Sequence, residues 1–371
     1  MTDQEKGKTL TTPADDSSES SQAAGKPAPL SRRDLLKRAL MAGVFVPQGF
    51  PQGFPGRGGR RGARAIDPSQ IPTYKYRTLP VTRFPALQAE FDRARSSATL
   101  SRNKAFRDEV APLSFKLPAD FPGARSVVVV AAFAKPMFVS FRLDGNPYRV
   151  LVPPQYYTDE VNAKSLRDIV QRDIIKIAER RVVDVTERVP LKLLAARSGL
   201  GNYGRNNLIF VDGMGSYNLL YAFLTDHQFP DDGWTELYVV EHCRRCDHCD
   251  RICPTGCILR SDFVINIDRC LTLYNENPGA FPGWMPRDAH HALMGCLKCQ
   301  SPCPVNRGIA ELYGTLEDVS EEETRRILKG TPDEPLLKSL QRKLKQFPAA
   351  ESRESFPVLT RNLGVLVRSQ V

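Results

Sequence analysis

Seven of the nine cysteines in this 371-residue chain lie in two short, regularly spaced runs, and no other feature constrains the fold as strongly. The first run has the spacing C-x-x-C-x-x-C-x-x-x-C-P and comprises Cys243, Cys246, Cys249, Cys253 and Pro254. The second has the spacing C-x-x-C-x-x-x-C-P and comprises Cys296, Cys299, Cys303 and Pro304. Leu293 stands where a leading cysteine would complete the second run. Spacing this regular predicts that the thiols converge on bound metal.

The first run has the spacing of bacterial two-cluster ferredoxins, in which the fourth cysteine binds the other cluster of the pair. The pattern therefore predicts two 4Fe–4S clusters with crossed ligation. Cluster 1 would be held by Cys243, Cys246, Cys249 and Cys303. Cluster 2 would be held by Cys253, Cys296, Cys299 and one further thiolate. The spacing leaves two candidates for that thiolate, Cys257 and Cys270.

Two other uses of these cysteines fit the spacing less well. Structural zinc sites pair C-x-x-C arms and do not need seven cysteines with a C-x-x-x-C-P step. Disulfides require a defined separation of the two Cα atoms, and C-x-x-C-x-x-C spacing is too tight for three such bridges. The runs favour iron–sulfur clusters, and hence an electron-transferring protein.

The first 66 residues form a leader of different composition from the rest. The chain carries a net charge of +10, and the leader accounts for +5 of it. The rest is only mildly basic, so its charge gives no clear indication of nucleic-acid binding. The chain contains no run of about 20 apolar residues, so no transmembrane helix is expected.

The leader contains the segment S-R-R-D-L-L-K at residues 31–37, which resembles a twin-arginine export signal. An apolar stretch from Ala39 to Val46 follows it, and Ala63-Arg64-Ala65 has the small-x-small form of a cleavage site. The twin-arginine route carries folded cargo, which suits a protein that receives its clusters before export. The leader predicts an exported or cell-envelope-associated protein; without a functional signal the protein would be cytoplasmic.

Residues 67–240 alternate between strand and helix patterns, which predicts an α/β domain of sandwich type. The continuous β-branched run at residues 126–134 predicts a strand buried on both faces. Thr158 is expected to cap a helix that runs to about Arg181, and residues 236–240 are expected to form a strand. A ferredoxin-like double-cluster domain is expected at 241–308 and a helical C-terminal extension at 309–371, where Ser320 and Glu323 form a capping box.

Several segments resemble the epoxyqueuosine reductases. Residues 194–207 resemble that family's L-A-x-x-A-G-L-G-W-I-G-K stretch, and residues 295–306 resemble its G-C-x-x-C-Q-x-x-C-P-x-N segment. The segment Gly215-Ser216 resembles the family's G-S motif, and Arg269-Cys270-Leu271 resembles its R-C-I segment. This resemblance implies that Cys270 is the eighth cluster ligand. Cys257 is then expected to be a small buried side chain.

The epoxyqueuosine reductases and the related reductive dehalogenases combine a corrinoid-binding, nitroreductase-like α/β domain with two 4Fe–4S clusters. The resemblance therefore implies cobalamin as a possible third cofactor, with Gly199, Gly201 and Asn207 as its contacts. It also implies a proton donor. The family's acidic residue aligns with Val185, one position from Asp184. In the dehalogenases a tyrosine with a basic or amide partner donates the proton, which makes Tyr203, Arg205 and Asn207 candidates by residue type and neighbourhood.

These observations predict an iron–sulfur oxidoreductase that passes single electrons to a corrinoid site. The expected electron donor is a ferredoxin, a flavodoxin or a membrane redox partner. A ferredoxin-type electron carrier without a catalytic site of its own is the alternative.

Overall fold

The structure is a computed structural model, and it describes residues 65–96, 101–158, 161–259 and 265–369. The predicted export signal lies outside these residues. The strands in the described residues are β1 (Tyr74–Pro80), β2 (Ser126–Phe133), β3 (Met137–Leu143), β4 (Asn146–Val152), β5 (Val182–Asp184), β6 (Asn202–Tyr203), β7 (Ile209–Phe210), β8 (Asn218–Thr225) and β9 (Gly314–Thr315).

The α-helices of the same residues are α1 (Phe84–Arg95), α2 (Lys104–Val110), α3 (Ala163–Ile169), α4 (Leu191–Arg197), α5 (His248–Ile252), α6 (Leu271–Glu276), α7 (Glu321–Lys329), α8 (Glu334–Lys343) and α9 (Phe356–Ser369). A π-helical turn, Val170–Ile175, continues α3. No helix of the described residues combines the length and apolar character needed to cross a bilayer.

An antiparallel four-stranded sheet, in the order β1-β2-β8-β5, forms the centre of the first part of the chain. Strand β2 is buried on both faces, as its β-branched run predicts. Alternate side chains of a strand point to opposite faces. Val127 and Val129 therefore pack in one apolar cluster with α1, α2 and α4, while Val128 and Val130 pack in another with α3. The result is a mixed α/β fold with helices on both faces of the sheet.

The helix predicted to begin after Thr158 begins four residues later in the structure. Asn162 is the N-cap of α3: its side-chain oxygen accepts hydrogen bonds from the backbone N–H groups of Lys164 and Ser165. The Ser165 hydroxyl in turn accepts the N–H of Asn162. The helical segment stops at Ile175, before Lys176 in the left-handed conformation, and does not reach Arg181. The helix therefore begins at the reciprocal cap of Asn162 and Ser165, and not at Thr158, which has no such partner in the sequence.

The prediction of a strand at residues 236–240 is also wrong. That segment makes only an isolated bridge, between Val239 and Tyr203. The bridge still matters, because the N–H of Val240 donates to the carbonyl oxygen of Tyr203 at 2.8 Å, immediately before the first cysteine run. The segment therefore ties the start of that run to the α/β core.

The C-terminal helices share an apolar core with the hairpin of β3 and β4. Side chains of α7, α8 and α9 pack with both strands, and Leu293 and Met294 lie in the same cluster. The predicted capping box of Ser320 and Glu323 is confirmed at the start of α7. This core brings the C-terminal helices against the segment that leads into the second cysteine run.

Candidate iron–sulfur cluster sites

The first candidate site is a small cavity of about 10 Å³ that lies between the two cysteine runs. The thiols in its wall are Cys243, Cys246, Cys249 and Cys303. Three come from the first run and one from the second. These are the four cysteines that the crossed pattern assigns to cluster 1. His242 and His248, which flank these cysteines, also line the cavity.

Arg205 fixes the loop that carries the first three thiols. Its guanidinium group donates hydrogen bonds to the carbonyl oxygens of Cys243 and Cys246, each at 2.9 Å. The side chain is buried and belongs to the cavity wall. A permanent positive charge therefore lies beside the thiols, where it favours their charged form.

Cys303 is held by a buried hydrogen-bond network that includes the Gly215-Ser216 motif. The Asn306 side chain accepts the N–H of Ser216 at 2.9 Å, and it donates to the Ser216 hydroxyl at 2.8 Å and to the carbonyl oxygen of Gln300 at 2.9 Å. Gly215 has a φ of +55°, and a Cβ there would collide with the Asn306 side-chain oxygen. The glycine lets Asn306 approach the turn and so fixes the chain next to Cys303.

The second candidate site is a cavity of about 100 Å³. Five thiols line it, namely Cys253, Cys257, Cys270, Cys296 and Cys299. A cavity needs only about 10–15 Å³ to hold one water molecule, so this one has room for a group of several atoms. Four of its thiols are those predicted for cluster 2, and the fifth is Cys257.

Hydrogen bonding distinguishes Cys257 from its neighbours. The Sγ atoms of Cys253 and Cys257 are 3.5 Å apart, and the Cys257 N–H donates to the Cys253 sulfur at 3.4 Å. Hydrogen bonds to Cys253 and Cys270 and burial together hold the pKa of Cys257 far above its usual range. A hydrogen bond from Cys257, opposed by burial, and hydrogen bonds from Thr272 lower the pKa of Cys270. These directions agree with Cys270, the ligand that the resemblance implies, as the thiolate of the pair.

Buried asparagines connect the chain segments around the second cavity. Asn362 of α9 donates from Nδ2 to the carbonyl oxygens of Asn275 and Leu293, both at 2.8 Å. The Asn275 side chain donates to the carbonyl oxygens of Ala292 and Gly295 at 3.2 and 3.0 Å. This network joins helix α6, which follows Cys270, to the segment that precedes Cys296. The C-terminal helix thus helps to position two of the cluster-2 cysteines.

A buried lysine in the wall of the second cavity was missed by the sequence analysis. Lys192 of α4 is only 6% exposed, and its ammonium group donates to the carbonyl oxygen of Asn207. Burial lowers its pKa to about 7, against the attraction of Cys299 and Cys270. The signal was a single lysine within the apolar run Leu191–Ala196, which is a position where charge is costly unless it has a use.

The donors at both sites fit a cationic group. Burial raises the pKa of Cys243 to about 11 and the pKa values of Cys249 and Cys296 to about 12. Such thiols become ligands when bound metal stabilises their charged form. In the described parts of the chain, no three His, Cys, Asp or Glu side chains are close enough together to hold one metal ion directly. Thiols spread around a cavity suit a multi-atom cluster.

The three residues predicted to contact a corrinoid are explained by the chain's own packing. A Cβ on Gly201 would lie 2.6 Å from Ile209 Cγ2 and 2.7 Å from the Phe210 carbonyl oxygen. A Cβ on Gly199 would lie 2.9 Å from Thr235 Cγ2. Asn207 is fully buried with a φ of +59° and binds Lys192 through its carbonyl oxygen. Gly201 and Asn207 are buried, and packing within the chain accounts for all three residues, so we derive no step that uses a corrinoid.

Two predicted proton donors lie away from both cavities. Tyr203 is completely buried in the apolar cluster beneath the sheet, and burial holds its pKa well above the usual range. Asp184 is exposed on β5, and its carboxylate accepts the N–H of Thr186 at 2.8 Å. Neither side chain lines either cavity. Arg205 does, but its guanidinium group binds backbone carbonyl oxygens of the cluster-1 loop.

The class of protein follows from the site and from a match over the same residues. Residues 242–306 match the model of the 4Fe–4S double cluster binding domain. This segment contains all seven cysteines of the two runs, together with Cys257 and Cys270. The chain therefore contains a double 4Fe–4S cluster domain at residues 242–306.

Curated relatives of the chain include epoxyqueuosine reductases. It is 29% identical to that of Pseudomonas aeruginosa over 187 residues, which cover 50% of this chain and 48% of the relative. It is 32% identical to that of Escherichia coli over 145 residues, which cover 39% of this chain and 37% of the relative. The match spans about half or less of the length of each relative.

Solved structures of epoxyqueuosine reductases share the fold. The enzyme of Streptococcus thermophilus matches with a TM-score of 0.54 at 20% identity, over 80% of this chain and 77% of that one. A second, crystallised with a tRNA-Tyr epoxyqueuosine-modified tRNA stem loop, matches with a TM-score of 0.53 at 19% identity, over 81% and 78% of the two chains. The likeness to the family extends through the α/β fold as well as the cysteine runs.

Proposed function

We propose that this protein is an iron–sulfur reductase similar to epoxyqueuosine reductase, in which two 4Fe–4S clusters pass single electrons toward an organic substrate. One observation carries the proposal: four thiols line one cavity and five line the other, and each cavity takes a cysteine from the C-P step of the other run. That arrangement is the one expected of paired clusters. The α/β part of the chain then provides the surroundings in which the substrate is reduced.

In this proposal Cys243, Cys246, Cys249 and Cys303 hold cluster 1. Cys253, Cys270, Cys296 and Cys299 hold cluster 2. Cys257 is a hydrogen-bond donor beside cluster 2 and binds no iron. When bound, the clusters supply one-electron transfer.

The protein's own residues hold the two sites close together. Asn206 lies in the wall of both cavities, and its side chain donates to the carbonyl oxygen of Cys299 at 3.4 Å. Arg205 fixes the cluster-1 loop, and Lys192 lies in the wall of the second cavity. All three residues belong to the segment of the α/β domain that contains the G-L-G turn. This segment therefore connects the α/β domain to both cluster sites.

The first substrate to test is epoxyqueuosine in tRNA. The relatives are named for it, and one solved relative binds a tRNA stem loop. The mild charge of this chain gave no clear indication of such a nucleic-acid ligand. Export and a tRNA substrate also exclude each other, because tRNA stays in the cytoplasm. Cell fractionation of the wild type and a variant with Arg32 and Arg33 changed to Lys would show which alternative holds.

The function is tested on full-length protein purified without oxygen. We expect about eight irons per chain, and reduction of an epoxyqueuosine-modified stem loop when dithionite supplies electrons. Restoration of queuosine in cells that lack their own reductase would support the same conclusion. Eight irons with reversible reduction but no turnover would favour the electron carrier, and fewer than about four irons would contradict the proposal.

A further inference from the structure

Lys192 brings a positive charge to the second cavity without a compensating negative charge on a neighbouring side chain. In the described part of the chain its hydrogen-bond partner is the carbonyl oxygen of Asn207, and no carboxylate pairs with it. The ammonium group shares the cavity wall with Cys270, Cys296 and Cys299. A buried charge without such compensation destabilises a fold by several kcal/mol, so its presence calls for a counter-charge.

The charge of the second site supplies that counter-charge. Four thiolates around a cluster make the site anionic, and each electron added to the cluster makes it more so. Glu276 accepts a hydrogen bond from the Tyr156 hydroxyl, and burial raises the pKa of its carboxyl well above the usual range. Because burial disfavours the charged form of this carboxyl, Glu276 is a poor counter-charge for Lys192.

We propose that the Lys192 ammonium group is a positioning charge that stabilises the reduced form of cluster 2 and raises its reduction potential. This inference rests on the proposed function, because it requires a 4Fe–4S cluster in the second cavity. A protonated ammonium group in a poorly solvated site attracts the added electron strongly, and the negative charge of the site in turn favours the protonated form of Lys192. Helix α4 would thereby set the electron affinity of a cluster to which it contributes no ligand.

Each cavity has a buried cation from the same segment of the α/β domain, so the roles of the two cations can be compared. Arg205 serves the first cavity, but it donates two hydrogen bonds to carbonyl oxygens of the cysteine loop itself. Lys192 donates to Asn207, outside the cysteine runs. Removal of Arg205 would therefore disturb the loop, whereas Lys192 can be neutralised with its helix and the cysteine loops unchanged.

The test compares Lys192→Met, which removes the charge at similar length, with Lys192→Arg, which retains it. Lys298→Met is the control, because Lys298 lines the same cavity but is only half-buried. Each full-length protein is reconstituted without oxygen, assayed for iron and titrated with dithionite while electron paramagnetic resonance is recorded. The Cys270→Ala variant, which is expected to retain cluster 1 alone, identifies the signal of that cluster.

For Lys192→Met we expect the equilibrium constant for reduction of cluster 2 to fall at least about tenfold, which is about 59 mV for a one-electron couple. Cluster 1 should shift much less, Lys192→Arg should remain near the wild type, and Lys298→Met should change the constant less than about threefold because solvent screens that charge. Four irons in Lys192→Met but eight in Lys192→Arg would also support the inference, because cluster 2 would then need a positive charge at residue 192.

Two results would overturn the inference alone. One is a Lys192→Met protein with eight irons and an unchanged cluster-2 potential. The other is loss of cluster 2 from both Lys192 variants, which would show that the size of the side chain matters and its charge does not. A wild-type protein that binds no second cluster would overturn both this inference and the proposed function.

Discussion

The two cavities differ in how the chain assembles them. The first takes three of its four thiols from one short loop, and Arg205 ties that loop together through its own carbonyl oxygens. The second draws its thiols from three separate segments, which contain Cys253, Cys270 and the pair Cys296 and Cys299. The asparagines of α6 and α9 connect two of those segments.

Most of the first site is therefore encoded within one loop, whereas the second depends more on the fold. Short-range loops form without much loss of chain entropy, whereas distant segments must be held by packing. The second site should therefore be more sensitive to changes in the C-terminal helices. Variants of both sites test this difference in how strongly each depends on the fold.

The largest expected effect concerns the two cysteines outside the C-P runs. Cys270→Ala should lower the iron content from about eight to about four per chain, because cluster 2 loses a ligand. Cys257→Ala should keep about eight irons, since its thiol serves as a hydrogen-bond donor. Iron and sulfide assays on reconstituted protein check both values, and the reverse pattern would sink the assignment.

The second prediction tests the brace from the C-terminal helix. Asn362→Leu leaves the buried carbonyl oxygens of Asn275 and Leu293 without their donor. At roughly 1–3 kcal/mol for each, the free energy of unfolding should fall by about 4 kcal/mol. In a denaturant titration without oxygen, cluster 2, which holds half of the iron, should be released at a lower denaturant concentration than cluster 1.

Thr360→Val is the matched control on the same helix. The Thr360 hydroxyl donates to the carbonyl oxygen of Ile327, away from both cavities. Thr360→Val should lower the free energy of unfolding by only about 1 kcal/mol and should not separate the release of the two clusters. Release of all iron in one step from Asn362→Leu would argue against a special dependence of the second site on α9.

The third prediction concerns acid. His291 accepts the N–H of Leu297, inside the second cysteine run, at 3.0 Å, and burial lowers its pKa to about 4. The unfolded chain binds a proton near pH 6.5 but the folded chain does not. The contribution of neutral His291 to stability is therefore complete above pH 6.5 and is lost as the pH falls from about 6.5 to 4. The free energy of unfolding should fall by up to about 3 kcal/mol over that range.

His291→Gln can accept the same hydrogen bond without titrating. Unfolding measured at pH 7 and at pH 5 should show a smaller difference for this variant than for the wild type. Equal differences in the two proteins would mean that His291 does not make the second site sensitive to acid.

The smallest expected effect tests the first site. Arg205→Lys introduces the residue that the related G-L-G stretch carries, but one ammonium group cannot span both carbonyl oxygens as the guanidinium group does. Loss of one charge-assisted hydrogen bond should cost about 2 kcal/mol and should hasten release of cluster 1. The exposed Arg245→Lys should behave as the wild type; an equal effect of both changes would rule out a specific brace at Arg205.

The local features of the sequence predicted their structures well. The β-branched run became a strand buried on both faces, and the Ser320 capping box begins α7. Spacing also predicted the four thiols around the first cavity and three of the five around the second, whereas Cys270 was implied by the resemblance. Thr158 failed as a cap because Asn162 forms a reciprocal pair with Ser165, which a rule that weighs single residues does not rank.

Features that depend on contacts between distant segments could not be predicted. Leu293, at the position of the missing cysteine, is completely buried against the C-terminal helices, and only the fold shows why an apolar residue belongs there. Lys192 and Asn362 are single polar residues in apolar helical runs. Their sequence context indicates that they are unusual, but their partners come from segments far away in the chain.

The central claim is that the two runs exchange cysteines, and two double variants test it directly. If Cys246 and Cys303 share a cluster, the Cys246→Ala, Cys303→Ala protein should keep about four irons. The Cys246→Ala, Cys253→Ala protein would then lose a ligand from each cluster and should keep almost none. If the runs instead bound their clusters separately, the two iron contents would be exchanged, and that result would contradict the account.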